Sequence, residues 1–279
     1  MAFEGHKEGG MIDISKGRFW DLPLSLVSGC TRCSPGCANC WSLAMEKRFR
    51  FVYRRGECLF LDPACGGERI NDTRILTHPE RLSIPLKRRK PTVYAILNDL
   101  HHEKVPMEFR VDAYSVMFGC IQHTYLVLTK RPEEMLRYFK ENTLPEYSGH
   151  DHIWHGLTVC NQQEADEKIR VFLQVPGWKI LSIEPMLSGM NIEVYLEHYR
   201  RGNDTEPSSL DAVILGGETG PGARPIKIEW VRFVRDQCQN AGIPFFFKSF
   251  GKYPPFGNYR LLDGRTHDEL PWIKTEKKG

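Results

Sequence analysis

The sequence predicts an α/β fold, a β/α barrel that is complete or partial. Three observations predict it: short apolar runs recur along the chain, amphipathic segments lie between them, and 279 residues that are 41% hydrophobic can bury a large core. Most of the runs are apolar throughout, which is typical of parallel strands covered on both faces. Strands that alternate with helices predict βαβ units, and eight such units predict a barrel. An open doubly wound sheet is the alternative that periodicity does not exclude.

Eight segments of the sequence are predicted to be strands: 22–29, 74–78, 91–99, 124–130, 153–159, 178–184, 211–218 and 243–249. Helical patterns lie between several of them, at 103–119, 131–142, 162–174 and 228–242. In the last of these, Ile228, Val231, Val234 and Cys238 follow helical spacing, and Gly242 supplies a C-terminal stop.

The chain is predicted to be one domain, 1–279. Two polar, turn-rich stretches, 141–152 and 197–210, are interpreted as surface insertions. No secretory signal is visible, and no apolar run reaches the roughly 20 residues that span a bilayer. We therefore expect a cytoplasmic protein with no membrane partner. The net charge of +3 permits a nucleic-acid partner without requiring one, and the basic run 85–91 is either a solvated turn or a phosphate contact.

The cysteine loop, residues 30–40, is the most unusual segment. It holds Cys30, Cys33, Cys37 and Cys40 directly after the first predicted strand. In a reducing cytoplasm, clustered cysteines serve metal binding or catalysis more often than disulfides. Structural zinc and a ferredoxin-type cluster with four cysteine ligands are the alternatives, although both favour other spacings. The spacing Cys33-x3-Cys37-x2-Cys40 is that of radical S-adenosylmethionine enzymes, in which three thiolates leave one iron of a 4Fe–4S cluster open for S-adenosyl-L-methionine.

Several motifs along the chain carry a resemblance to a known family. They are "GCTRCSPGCANCW", "THPERLSIPL", "NDLHHEKVP", "HTYLVLTKRPEEM", "GLTVCNQQEAD", "LSIEPML", "GGETGPGARP", "WVRFVRDQC", "IPFFFKSFG" and "LLDGRTHDELP". In their order and spacing, the chain resembles a family of phage and prophage proteins with a three-cysteine motif, regarded as radical-SAM-like. The resemblance implies a barrel of the radical-SAM type, a 4Fe–4S cluster and S-adenosyl-L-methionine as cofactors.

The family motif also bears on which thiols are ligands. It reads Gly-Cys, six residues, Cys, two residues, Cys-aromatic, which corresponds to Cys30, Cys37 and Cys40. Position 33 is usually aliphatic in the family, which favours Cys30 as the third ligand. Cys33 stays the alternative because it fits the Cys33-x3-Cys37-x2-Cys40 spacing. Trp41 stands where the family usually has tyrosine.

Polar residues follow most of the predicted strands. In a β/α barrel the carboxyl ends of the strands form the site, so these residues should meet at one mouth. For cofactor binding we expect Asn98, Thr158, Ser182, Glu184, Gly216, Gly217 and Glu218. For substrate binding we expect Asp99, His102, Lys130, Arg131 and Arg224. Lys248 and Glu184 are the candidate catalytic residues. Structural interpretations stay open: a helix cap for Asp99, an internal Glu218–Arg224 pair, and a salt bridge from Lys248 to Glu184 or Glu218.

The expected function is that of a radical S-adenosylmethionine enzyme. The phage setting that the resemblance implies suggests a nucleobase in phage DNA as substrate, modified or rearranged, with a free nucleotide or a peptide as alternatives. A reductant such as flavodoxin or ferredoxin would supply electrons. Two other classes remain: a non-catalytic zinc or iron–sulfur module that binds nucleic acid, and a barrel hydrolase that uses Glu184, Glu218 and Lys248.

Overall fold

The computed structural model describes residues 12–40, 42, 75–142, 150–196, 209–252 and 259–273. Its main element is one sheet of seven parallel strands, whose order in the sheet follows their order in the chain. Its strands are β1 (Leu22–Leu24), β4 (Val93–Ile96), β5 (Thr124–Thr129), β6 (Ile153–Val159), β7 (Trp178–Ile183), β8 (Ala212–Gly216) and β9 (Phe245–Ser249). The sheet curls into a half-barrel. This confirms the predicted α/β class and is compatible with a partial β/α barrel.

Two short strands form a separate antiparallel pair, β2 (Val27–Ser28) with β3 (Leu76–Thr77). The backbone turns sharply after β1, where the amide of Leu26 donates to the carbonyl of Leu24 at 3.1 Å. The chain therefore leaves the sheet direction, and β2 pairs with β3 instead of extending β1. The prediction that 22–29 is one strand is wrong, and so is the prediction that 74–78 adds an eighth parallel strand.

The described helices are α1 (Ser83–Lys87), α2 (Met107–Gly119), α3 (Pro132–Glu141), α4 (Gln162–Phe172) and α5 (Ile228–Ala241). The last four lie where the amphipathic patterns placed them, whereas α1, which includes the start of the basic run 85–91, was not predicted. Asn161 caps α4 by accepting a hydrogen bond from the amide of Glu164 at 2.9 Å. Helix α5 ends at Gly242, whose φ of 69° is the left-handed conformation that glycine adopts readily. The predicted helical spacing in α5 is confirmed, because Val231, Val234 and Cys238 are buried.

The strands bury both of their faces, as a parallel sheet requires. Alternate side chains of each strand pack with the helices into the larger core. The side chains between them face the other way and form a second cluster with residues from the two chain ends. It comprises Phe19, Leu126, Trp154, Ile180, Ala212, Ile214, Phe246, Leu270 and Trp272. This second cluster fills the interior of the half-barrel at the amino ends of the strands.

The segment before β1 lies against β9, the strand at the opposite edge of the sheet. The ring of Phe19 meets that of Phe246 edge to face at 5.9 Å, and the indole N–H of Trp272 donates to the carbonyl of Phe19 at 3.0 Å. Gly17 packs so closely that a Cβ there would lie 2.6 Å from the carbonyl oxygen of Lys248. These contacts bring together the two edges of the half-barrel.

Several predictions fall outside the described residues. They are most of the insertions 141–152 and 197–210, and Trp41. Among the described helices, none has the length and apolar character needed to cross a bilayer.

Candidate functional site

The cysteine loop begins directly after β2 and contains a single turn of 3-10 helix, Pro35–Cys37. Ser34 caps this turn by accepting a hydrogen bond from the amide of Gly36 at 3.1 Å. Three polar residues of the loop, Thr31, Ser34 and Asn39, are each bonded to a different part of the half-barrel. The loop is therefore attached to the carboxyl ends of several strands.

The first attachment joins Thr31 to the ends of β4 and β5. The Nη2 of Arg131 donates to both the side-chain and the carbonyl oxygen of Thr31, at 2.8 and 3.1 Å. The other guanidinium nitrogens bond to carboxylates, Nη1 to Asp99 at 2.9 Å and Nε to Glu103 at 2.7 Å. Burial opposes the charge of Arg131, but Asp99 outweighs it, so the pKa of Arg131 is raised. His102 adds a contact of 2.8 Å between its Nε2 and the Thr31 hydroxyl.

The second attachment joins Ser34 to the start of α4. Its hydroxyl donates to the Oε2 of Glu164 at 3.1 Å. The same oxygen accepts from the backbone amide and the thiol of Cys160, both at 3.0 Å. Lys168 pairs with the other carboxylate oxygen at 2.6 Å. Burial and this carboxylate together raise the pKa of Cys160 to about 11, so that thiol stays protonated.

The third attachment joins Asn39 to the loop after β8. The amide nitrogen of Asn39 donates to the Oε2 of Glu218 at 3.0 Å and to the carbonyl of Gly222 at 2.8 Å. Glu218 also accepts from the backbone and the guanidinium of Arg224, the shortest of these contacts being 2.5 Å. The internal Glu218–Arg224 pair expected as the structural interpretation is therefore present, and the same carboxylate holds the cysteine loop.

The thiols of the loop differ in surroundings. Cys37 is buried, Cys33 is exposed, and Cys30 and Cys40 are intermediate. The Cys33 thiol donates a hydrogen bond to Cys37, which lowers the pKa of Cys37 and raises that of Cys33; Lys130 also favours the Cys37 thiolate. Burial and the nearby Asp99 raise the pKa of Cys30 to about 11.

The donor set suits a thiophilic metal group by its chemistry. None of the seven cysteines that the structure describes is disulfide-bonded, and four of them lie on one loop beside the cations Lys130 and Arg131. In the described parts of the chain, no three histidine, cysteine or acidic side chains are gathered closely enough to hold a metal ion. The residue types fit an iron–sulfur cluster but the described side chains do not converge on one point, so binding a cluster requires the thiols to turn toward each other.

Beside the loop, the barrel interior becomes polar at the carboxyl ends of the strands. Lys248 on β9 pairs with Glu184 after β7 at 2.8 Å, and Ser182 donates to the same carboxylate at 3.4 Å. Gly216 makes space for this pair, because a Cβ there would lie 3.1 Å from the Oε1 of Glu184. The ammonium of Lys248 also lies 5.7 Å from the ring centroid of Phe19. Of the two expected partners of Lys248, the structure pairs it with Glu184.

The other predicted site residues lie at the same mouth in different roles. Thr158 is buried opposite Ser182 in the register of β6 and β7. Asn98 donates to the carbonyl of Val27 at 2.7 Å and adopts a φ of 61°. A Cβ on Gly217 would lie 2.2 Å from the carbonyl oxygen of Phe250, so this glycine lets two backbone segments touch.

Sequence reasoning missed the attachments of the cysteine loop. Thr31, Ser34, Asn39 and Glu164 were not among the predicted site residues. Glu164 carried a usable signal, because Asn161 followed three residues later by Glu164 is a capping-box spacing before an apolar-periodic run. The polar residues between the cysteines carried no signal of their own, since their partners lie up to 183 positions away in sequence.

A protein family whose activity is not stated matches most of the chain. A family model described as "Protein of unknown function (DUF5131)" matches residues 16–271. No curated protein matches the chain.

Proposed function

We propose that this chain, which belongs to the DUF5131 family, is a radical S-adenosylmethionine enzyme. One observation carries the proposal: a loop with four free thiols is bonded to strand ends on both sides of a polar half-barrel mouth. A metal group bound by this loop would lie next to the polar carboxyl ends of the strands. An incomplete thiolate shell, rather than a closed one, is what chemistry at a metal requires.

Cys37, Cys40 and a third cysteine would hold a 4Fe–4S cluster, with Cys30 proposed as third ligand and Cys33 as its alternative. When bound and reduced, such a cluster supplies one electron that splits S-adenosyl-L-methionine into methionine and a 5′-deoxyadenosyl radical, which takes a hydrogen atom from the substrate. The apolar inner cluster around Trp154 and Phe246 closes the interior below the mouth and limits access of water from that end.

The polar mouth supplies the binding groups for cofactor and substrate. Lys248 is 41% exposed in its side chain and paired with Glu184, so it can turn toward an anionic or hydrogen-bonding group of a ligand. Lys130 adds a second cation at the same edge. These charges fit a phosphate-bearing substrate, and we propose a nucleobase in DNA or in a nucleotide. Arg131 has each guanidinium nitrogen engaged by protein groups, which favours support of the loop over substrate contact.

Anaerobic reconstitution tests the proposal. The purified chain is treated with ferrous iron and sulfide, then assayed for bound iron and sulfide, for the electron paramagnetic resonance signal after dithionite, and for 5′-deoxyadenosine by mass spectrometry. We expect a bound cluster and 5′-deoxyadenosine that depends on reductant. Stoichiometric zinc without 5′-deoxyadenosine would favour the zinc module instead, and a colourless chain that binds no metal would favour the hydrolase.

Matched cysteine variants locate the ligands. Cys37→Ala should abolish cluster binding, whereas Cys238→Ala, buried on α5, should keep it. Between Cys30→Ala and Cys33→Ala, the variant that loses the cluster identifies the third ligand. If all four variants bind iron like the unaltered chain, the cysteine loop is not the metal site.

A further inference from the structure

We infer that Arg131, Glu164 and Glu218 are positioning residues for the cysteine loop and act through Thr31, Ser34 and Asn39. The inference rests on the proposed function, because the value of a fixed loop lies in holding cluster ligands ready over the mouth. It assigns a role to side chains that are neither ligands nor exposed to substrate. Thr31, Ser34 and Asn39 are the anchor residues of the loop.

Each anchor is bonded to a buried charged group. Arg131 is 8% exposed, and Glu164 and Glu218 are each 5% exposed. Each of these charges is also paired with a residue outside the loop: Asp99 for Arg131, Lys168 for Glu164 and Arg224 for Glu218. Hydrogen bonds to charged groups are about twice as strong as neutral ones, and a buried charge that loses a partner is destabilised. Breaking the hydrogen bonds between the anchor residues and these charged groups therefore costs free energy.

The three charged residues that bond the anchor residues are also spread across the sheet. Arg131 follows β5, Glu164 follows β6 and Glu218 follows β8, and these strands are separated in the sheet order by β7 alone. Three separate attachments fix both the position and the orientation of a short segment. These bonds are made by the anchor residues and not by the four thiols that alternate with them along the loop.

The loop contains its own reporters of this fixation. Cys37 is 6% exposed and Cys33 is exposed, although they lie four positions apart. An alkylating reagent reaches Cys33 directly but reaches Cys37 only when the loop opens. Cys238, 0% exposed on α5, becomes reactive only when the core itself opens. The three rates separate local loosening from general unfolding.

The test uses the full chain freed of metal with a chelator and treated with iodoacetamide, with peptide mass spectrometry as readout. Thr31→Val removes the hydroxyl that accepts from Arg131 at nearly unchanged volume. Asn39→Asp replaces a donor with a carboxylate facing Glu218. Either change should raise the alkylation rate of Cys37 about tenfold, the factor for one lost charge-assisted hydrogen bond, and leave the rate of Cys238 unchanged. Thr31→Ser, which keeps the hydroxyl, should restore the slow rate.

Two results would overturn the inference: a Cys37 rate equal to that of the unaltered chain, or a parallel rise at Cys37 and Cys238, which signals general destabilisation. In the reconstituted protein, Thr31→Val should also broaden the paramagnetic spectrum of the reduced cluster, and Thr31→Ser should return it to the original shape. A chain that binds no cluster refutes the proposed function. The alkylation rates of the metal-free chain still decide the positioning role.

Discussion

The two ends of the half-barrel interior use the same strands and differ in what those strands present. On β6, Trp154 faces the interior near the amino end and Thr158 near the carboxyl end. On β7 the corresponding residues are Ile180 and Ser182, and on β9 they are Phe246 and Lys248. Every second residue of a strand points to the same face, so a shift of two or four positions changes an apolar lining into a polar one.

We expect this difference to separate stability from the proposed chemistry along a single strand. Apolar side chains at the amino ends are excluded from water and contribute to the free energy of unfolding. At the carboxyl ends the ionic pair Lys248–Glu184 is partly exposed and contributes little to stability. Mutations at the amino ends should therefore mainly lower the free energy of unfolding, and mutations at the carboxyl ends should mainly lower activity.

The largest expected effect is that of Trp154→Ala. The ring of Trp154 stacks on Trp178 at 5.3 Å and meets Trp272 edge to face at 5.3 Å. Removing it leaves a cavity in the inner cluster, and we expect a loss of about 3–5 kcal/mol in the free energy of unfolding, measured by urea denaturation. Trp178→Ala is the control, because Trp178 is 39% exposed and should cost clearly less. Equal losses in the two variants would mean that burial in the inner cluster does not determine the cost of removing Trp154.

Gly217→Ala comes second and concerns the backbone at the mouth. A Cβ at Gly217 would lie 2.2 Å from the carbonyl oxygen of Phe250, and backbone atoms cannot move aside as a flexible side chain can. We expect a loss of about 1–3 kcal/mol, measured by the same denaturation. Gly119→Ala, near the end of α2 with no atom within 4 Å of its added Cβ, should be neutral or slightly stabilising. A neutral Gly217→Ala would leave cofactor contact as the better explanation of this glycine.

The strands of the half-barrel could be predicted from the sequence because their signal is local. The run 153–159 is continuously apolar apart from His155 and Thr158, and β6 spans Ile153–Val159 as predicted. The meeting of Lys248 with Glu184 was also predictable as one of two options, since parallel strands end at the same edge. The first prediction depends on neighbouring residues alone, and the second depends on the strand assignment that those neighbours support.

The remaining features depend on partners far away in sequence. Residues 27–28 have the strand character that was predicted, but their partner is β3 and their direction is antiparallel, because the chain turns after Leu24. The bond from Asn39 to Glu218 joins positions with no shared periodicity. Composition and spacing show that such residues are polar, and only the fold shows which of them meet.

The smallest expected change in stability is that of Lys248→Met, which tests the polar end directly. The side chain keeps its length and loses the charge that pairs with Glu184. Because the Lys248 side chain is 41% exposed, we expect the free energy of unfolding to change by less than about 1 kcal/mol. Formation of 5′-deoxyadenosine by the reconstituted protein should nevertheless fall by about a hundredfold, as for the loss of a group that handles protons or orients a ligand. Lys252→Met, at an exposed lysine after the same strand, is the matched control and should keep both properties. If Lys248→Met instead lowers the free energy of unfolding by several kcal/mol and leaves turnover intact, the Lys248–Glu184 pair stabilises the fold. The carboxyl ends of the strands would then contribute to stability as the amino ends do.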